Sequence, residues 1–316
     1  VKTDAVVELL FGGPILLEFA RSYSSAACDR DVGLGYGWNH TFGHQLQVRR
    51  GAIRLWKADG AFVDFPLLEK GASAIGGRAY ELVRSGDGYV LDYGDGLLRD
   101  FVASEADPRL FRIATVRDSH DCRVALRYER DRLVEITDSV GRTVRFGQSA
   151  RGRITTIDGF DPLRKSWVRF AEYRYDEHGD LIESVDADGF QRAYRYEQHL
   201  LTFQQTPMSA QFHYAYDGEG RCVETWCSEP YGRDLSLADT VSELLADGSA
   251  AKGTFHCKLL YASNDDGNYT ECADSLEVQR FFSNGFGSID KAVTGGGVDS
   301  RVYNRFGQVI SHTDAL

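Results

Sequence analysis

Short runs in which apolar and polar residues alternate recur along the whole chain, separated by Gly, Asp or Asn. Period-two alternation is the signature of a strand with one buried face, and the punctuating residues are those that tight turns require. One word stands out: Leu126-Arg127-Tyr128-Glu129, Tyr173-Arg174-Tyr175-Asp176, Tyr194-Arg195-Tyr196-Glu197, Tyr214-Ala215-Tyr216-Asp217 and Arg301-Val302-Tyr303-Asn304. It reads as aromatic or apolar, any residue, aromatic, then acidic or Asn. With weaker copies at Phe146, Tyr261 and Phe282, the third-position rings are spaced by 18, 29, 21, 20, 45, 21 and 21 residues, so the period is near twenty and the long step is two periods. A fixed period of that size marks a repeat architecture.

A turn follows each word, as in Asp176-Glu177-His178-Gly179, Asp217-Gly218-Glu219-Gly220 and Asn304-Arg305-Phe306-Gly307. The acidic or Asn side chain can accept from backbone two residues on, and Gly supplies a positive φ. A second strand comes next, for instance Leu181 to Val185 or Cys222 to Trp226. One hairpin cannot bury its own apolar face, so units of strand, turn, strand, turn must pair edge to edge into a larger sheet. Rings at positions one and three share a face and are expected to stack into a ladder.

Two stretches depart from the period. Residues 1–105 carry strand-like runs without the word, among them Ile15 to Phe19, Phe42 to Val48, Ile53 to Trp56, Phe62 to Phe65 and Tyr89 to Leu91. They predict a β-rich leading domain that caps the first edge of a repeat sheet over 106–316. Within the long step, Leu235 to Gly248 has apolar residues at Leu237, Val241, Leu244 and Leu245, a Ser236 to Asp239 capping pattern and a terminal Gly. This predicts one short inserted helix near 235–248. The expected fold is therefore all-β, a large curved sheet or partial shell of hairpins.

On these residues the chain resembles the Rhs/YD-repeat family, named for the Tyr-Asp pair present here as Tyr175-Asp176 and Tyr216-Asp217. Tyr173 to Gly179 and Tyr214 to Arg221 follow its Y-x-Y-D-x-x-G-R-L pattern, with Asp180 in place of Arg in the first and Cys222 in place of Leu in the second. The stretch from Arg21 through Ser22, Tyr23, Ser24 and Ser25, followed by Leu34-Gly35-Tyr36-Gly37-Trp38-Asn39-His40, looks like the leading region of bacterial Rhs proteins. The resemblance implies a hollow shell of YD strands around a toxic C-terminal segment of the same polypeptide. It implies delivery by type VI secretion or a contact-dependent route, with the bacterial cytoplasm as the place before export. Complete shells in the family end in a self-cutting plug containing Pro and Asp. Tyr303 to Leu316 shows no such plug, so the expectation is a piece of a shell.

Composition narrows the alternatives. Thirty-three Gly, 6 Pro, 4 Trp, 16 Tyr and 18 Phe favour strands and tight turns. A net charge of −11 lacks the excess of Lys and Arg that nucleic-acid binding needs. The apolar stretch Val6 to Phe19 is broken by Glu8, Gly12, Gly13, Pro14 and Glu18, too often for a membrane span, and no basic segment precedes it to make a signal peptide. The six cysteines are too dilute for a disulfide scaffold and are read as thiols.

No catalytic residue, metal site or cofactor is assigned. His40 and His44, spaced to share a strand face, and His256 beside Cys257 have no converging further ligands in the spacing. Gly33-Leu34-Gly35-Tyr36-Gly37 lacks the dinucleotide spacing, and Asn264-Asp265-Asp266-Gly267 reads as a turn rather than a calcium loop. Carboxylate pairs such as Asp186 and Asp188 are turn residues before they are an acid and base. The partners expected are a C-terminal toxin cargo or the rest of the shell, together with secretion-apparatus proteins. The competing readings are an extracellular adhesion module that binds carbohydrate, helped by sequons at Asn39 and Asn268, and a carbohydrate-active β-solenoid.

Overall fold

The alternating segments become antiparallel strands almost throughout, and the protein is all-β. The computed structural model describes every residue except 78, 79, 229–241, 285–287, 305–307, 315 and 316. The chain divides into two compact units, Val1–Gln191 and Arg192–Leu316.

In the first unit, β1 (Val6–Phe11), β2 (Leu17–Tyr23) and β3 (Trp38–His40) make a small sheet of their own. Its central strand β2 is buried on both faces, with Leu17, Phe19, Ala20, Arg21, Ser22 and Tyr23 all out of water. Next come β4 (Gln45–Arg49), β5 (Ala52–Trp56), β6 (Phe62–Pro66), β7 (Ser73–Gly76), β8 (Tyr80–Ser85), β9 (Gly88–Asp92), β10 (Leu98–Ala103) and β11 (Leu110–Arg117), each hydrogen-bonded to the next. The start of β11 then returns to β4 through Leu110–Gln47, Phe111–Leu46 and Arg112–Gln45, so these strands close on themselves. Leu46, Ile53, Leu55, Phe65, Leu82, Leu91, Phe101 and Phe111 are buried in this part of the molecule. Each such side chain contributes about 1.5–3 kcal/mol by leaving water.

The far end of β11 pairs instead with β12 (Arg123–Glu129), through Thr115–Ala125 to Arg117–Arg123. One strand thus belongs to the closed ring with its first half and starts the repeat with its second. From there β13 (Arg132–Thr137), β14 (Thr143–Gln148), β15 (Ile154–Asp161), β16 (Ser166–Tyr175) and β17 (Leu181–Asp186) run as an antiparallel meander. The small sheet packs against the meander, with Phe19 and Phe146 ring centres 5.2 Å apart and Phe11 and Phe170 5.5 Å apart.

The second unit continues in the same style with β18 (Gln191–Glu197, its first residue closing the first unit), β19 (Leu200–Gln205), β20 (Gln211–Tyr216), β21 (Cys222–Ser228), β22 (Thr254–Asn264), β23 (Gly267–Ala273), β24 (Val278–Ser283), β25 (Ile289–Thr294), β26 (Gly297–Tyr303) and β27 (Val309–Thr313).

The inserted helix is corrected in the part that can be seen. Residues 235–241 lie outside the described residues, and 242–248 form a bridge from Leu244 to Ala250 and a turn, not helix. The physical reason is local: Asp247 accepts from the amide and hydroxyl of Ser249, and the Ala246 amide donates to the Asp274 carbonyl, so this backbone is pinned by turn and inter-strand bonds. No α-helix occurs among the described residues.

Candidate functional site

The repeating word opens one kind of turn after Asp176 and Asp217 and another after Glu129 and Glu197, where two residues at positive φ, Arg130-Asp131 and Gln198-His199, close the hairpin. In the first kind the acidic residue opens a turn in which the first amide donates to the fifth carbonyl, at 3.1 Å for Asp176 and Asp180 and 2.9 Å for Asp217 and Arg221, and the same bond recurs outside the word, after β13, at 3.0 Å for Asp138 and Arg142. The Asp176 carboxylate also accepts from the amides of Gly179 and Asp180, both at 2.8 Å, and Asp217 does the same for Glu219 and Arg221. Gly220 stands at the fourth position of its turn, like Gly179. Opposite the third-position tyrosine the partner strand carries one extra residue in five copies, Tyr261 facing Thr270 in unbroken register instead. Arg174 faces Glu183 while Tyr175 faces Leu181, and the same skip occurs at Tyr128, Tyr196, Tyr216 and Tyr303. Such a bulge bends the strand and re-aims the ring beside it.

The phenol at this position, with or without the bulge, grips the preceding hairpin. Tyr175 donates to the Ile154 carbonyl at 2.6 Å, Tyr216 to Leu201 at 2.8 Å, Tyr261 to Cys222 at 2.8 Å and Tyr303 to Ile289 at 2.6 Å. Successive units are therefore stitched by phenol to carbonyl bonds at this position. Ring contacts that step from strand to strand run through other residues, Phe203, His213 and Trp226, with His213 and Trp226 stacked at 4.9 Å. Tyr194 is buried, Tyr214 is half-buried, and Gly307 lies outside the described residues.

Within the first unit, the leading motif docks on one YD hairpin, and this seam is the densest assembly of predicted motif residues. Arg21 is fully buried; its Nε donates to Glu8 Oε1 at 2.5 Å and its Nη2 to Ser184 Oγ at 2.6 Å. The guanidinium lies 4.6 Å from the Trp38 ring centre and 5.6 Å from that of Tyr173. Burial, followed by the negative charge of Glu8, holds the Tyr173 phenol well above its ordinary pKa. Two glycines permit close approach, one across the seam and one within the leading motif. Gly35, at φ +87°, would put a Cβ 2.8 Å from the Gly179 carbonyl oxygen, and Gly37, at φ +76°, would put one 2.3 Å from the Tyr23 ring. Tyr23 meets Trp38 edge-on at 5.8 Å, and the Ser24 amide donates to the Gly37 carbonyl at 2.9 Å.

Ile154 is held from both sides. Its amide donates to Gly33 of the leading loop at 2.7 Å, and its carbonyl accepts from Tyr175. Beside it Arg153 forms an ion pair with Asp31 at 2.8 Å, and the Asp31 carboxylate also receives the amides of Gly33 and Gly35. Glu8, Ser184, Arg153 and Ile154 were missing from the predicted set. Glu8 is a lone acid in an otherwise apolar strand, and Gly152-Arg153-Ile154 imitates the G-R-L that ends a YD unit, so both signals were in the sequence.

His40 and His44 do not share a strand. His40 ends β3, His44 precedes β4, and both are buried. Burial pushes His40 down to about 4 and His44 to about 3, the latter helped by the charge of Arg99. Among the described residues, no three His, Cys, Asp or Glu side chains converge as a metal site. The Asn264 side chain accepts from the Asp266 amide at 3.0 Å within a hairpin turn.

Comparison with known proteins agrees with these motifs. A family described as Domain of unknown function (DUF6531) matches residues 2–65, the stretch that supplies Glu8, Arg21 and Trp38. Two proteins of Dickeya dadantii (strain 3937), called probable deoxyribonucleases RhsA and RhsB, are each 29% identical, over 72% and 80% of this chain and 16% and 18% of their own lengths. The chain belongs to the Rhs/YD-repeat family. A third relative, the double-stranded DNA deaminase toxin A of Burkholderia cenocepacia (strain H111), is 32% identical over 72% of this chain and 16% of its own. The Rhs/YD chain therefore spans about a sixth of the length of these relatives. Among solved structures, a Photorhabdus luminescens Tc holotoxin pore gives a TM-score of 0.38 at 9% identity, covering 82% of this chain and 15% of that one. Among the described residues no helix is long and apolar enough to cross a membrane.

Proposed function

We propose that this Rhs/YD chain is a wall segment of a shell that encloses a toxic C-terminal part of the same polypeptide, and that it performs no catalysis itself. The observation that carries the reading is the seam. The Arg21–Ser184 bond, the close approach of Gly35 to Gly179, the Arg153–Asp31 pair and the doubly held Ile154 fasten the leading sheet and loop to the repeat strands, as a continuous wall requires. The names of the relatives support it further: a probable deoxyribonuclease and a double-stranded DNA deaminase toxin match over similar shares of this chain, and a region common to proteins named for two different activities suits a scaffold. The cargo here is accordingly of the nucleic-acid-modifying class. Delivery is by a type VI or contact-dependent apparatus, whose proteins are the outside partners, and the wall is exported from the bacterial cytoplasm with its cargo.

Limited proteolysis of the full-length parent tests this. The C-terminal segment is expected to survive while the intact wall persists and to be cut once the seam is broken by Arg21→Ala. A segment cleaved in the intact parent as fast as the isolated segment would remove the reading.

A further inference from the structure

Beside the seam, the leading loop and the hairpins of β11 to β15 surround a cavity in the first unit. Four arginines line it, Arg112 and Arg132 half-buried in the wall and Arg130 and Arg151 exposed at the rim, the last also donating to the Glu177 carbonyl. None of the four forms an ion pair with a described carboxylate, although arginines elsewhere do so routinely, as in Arg54–Asp64, Arg99–Asp95 and Arg117–Asp100. The cavity's own carboxylates are engaged by other groups. Asp31 holds Arg153 and two glycine amides, while Asp131 accepts from the Ser104 hydroxyl and the amides of Glu105 and Ala106.

Several buried polar atoms of the cavity residues also lack a hydrogen-bond partner: Arg112 Nε, Gln148 Oε1, His40 Nδ1 and His44 Nδ1. Orphaned buried polar atoms are rare, because each loses its hydration and gains nothing unless something fills the space. The roles of two are set by their other ends. His40 Nε2 lies 3.2 Å from the Val32 carbonyl oxygen, which can only accept, so the proton is on Nε2 and Nδ1 presents a lone pair. Gln148 Nε2 donates to the Leu133 carbonyl at 2.7 Å, which leaves its oxygen as an acceptor.

An occupant that satisfies the cavity must bring negative charge and acceptor oxygens for the guanidiniums, and an O–H for the acceptors. Water supplies the O–H and no charge. A carboxylate supplies charge and, at neutral pH, no O–H. Hydrogenphosphate supplies both, and arginine forks match its oxygens in pairs. We propose that this cavity binds a phosphate group, with Arg112 and Arg132 as its principal donors and Arg130 and Arg151 drawing the anion to the rim.

Calorimetric titration of the 316-residue chain with inorganic phosphate, in dilute phosphate-free buffer, tests the assignment. One saturable site is expected, weakened about tenfold or more in Arg112→Gln and Arg132→Gln, since a charge-assisted hydrogen bond is worth about 1.5–3 kcal/mol. Rim variants Arg130→Gln and Arg151→Gln, which disturb no buried contact, are expected to weaken it by about two- to fivefold. Arg50→Gln, also unpaired but outside the cavity, is expected to bind as the parent does. Phenyl phosphate binding as tightly as inorganic phosphate identifies an esterified group as the source, and weaker binding identifies the free ion. Lack of saturation, equal affinity across the rim and wall variants, or succinate binding as tightly as phosphate would each overturn the proposal.

Discussion

The phenol of Tyr175 lies 2.6 Å from the carbonyl oxygen of Ile154, and that carbonyl belongs to a residue whose amide is already given to Gly33. One tyrosine of a repeat thereby ties together its own hairpin, the previous hairpin and the leading loop. Removing only the hydroxyl, in Tyr175→Phe, leaves the ring in place and orphans a buried carbonyl, at a cost of about 1–3 kcal/mol. Tyr303→Phe makes the same deletion opposite Ile289 in an exposed setting, where water can replace the phenol, and is expected to cost well under about 1 kcal/mol. Urea unfolding compares the two; equal midpoint shifts would mean that burial of the stitch is irrelevant.

Arg21 and Glu8 are both out of water, so breaking their pair strands a charge. Glu8→Gln or Arg21→Met alone is expected to destabilise by about 3–5 kcal/mol, while the double variant recovers much of the loss because no uncompensated charge remains. Thermal or denaturant unfolding of all four proteins closes the cycle, and additive losses would show that the two side chains act separately.

Much of this architecture could be read in advance. The period of the word Y-x-Y-D, the turns after it and the all-β class follow from alternation, Gly placement and side chains that accept from nearby backbone, all of which are local. The seam was legible only as two separate motifs, because Gly35 and Gly179 are far apart in sequence and their contact is a property of the folded chain. The stitch of Tyr175 to Ile154 was hidden for the same reason: a strand aromatic at position three predicts its face, not the bulge that turns it. The helix expectation around Leu244 and Leu245 rested on spacing alone. In residues 242–248 spacing lost to Asp247, whose side chain favours a turn.

Gly37 and Gly51 separate two costs of adding a methyl group. Both have positive φ, but a Cβ at Gly37 meets the Tyr23 ring at 2.3 Å while one at Gly51 meets nothing within 4 Å. Gly51→Ala is expected to lose about 1–2 kcal/mol from backbone strain alone. Gly37→Ala should lose clearly more and should also perturb the near-ultraviolet signal of Trp38, which Tyr23 touches. Matching losses in the two variants would remove the argument that the leading motif needs glycine for close approach.

His40 and His44 make stability depend on pH above the carboxylate range. The unfolded chain takes up these protons near pH 6.5, whereas the folded chain holds His40 neutral to about 4 and His44 to about 3. Their contribution is thus intact above roughly pH 6.5 and is lost as pH falls towards 4, because the unfolded state binds more protons throughout that window. Each histidine adds a slope of about 1.4 kcal/mol per pH unit there. Denaturation midpoints measured across the window should fall less steeply in His44→Gln than in the parent, whatever the absolute stability of the variant. Parallel profiles would mean that His44 is protonated in the folded protein.

Cys257 and Cys272 lie across the β22–β23 pair with their sulfurs 2.8 Å apart, both unoxidised and half-buried. The two thiols share this hydrogen bond, which, joined by burial, pushes Cys257 far up and, outweighing burial, draws Cys272 below the ordinary thiol value. The thiolate is the attacking species in disulfide exchange. Cys272 therefore attacks oxidised dithiothreitol first, forming a mixed disulfide, and Cys257 then displaces the reagent, which leaves as the reduced dithiol. The expected product is a Cys257–Cys272 bridge, lighter than the parent by two hydrogens, formed ahead of any bridge to the buried Cys222 or Cys227. Peptide mapping after brief oxidation reads this directly. Cys272→Ser should abolish the early bridge, whereas an early bridge between other cysteines would contradict the assigned order of reactivity.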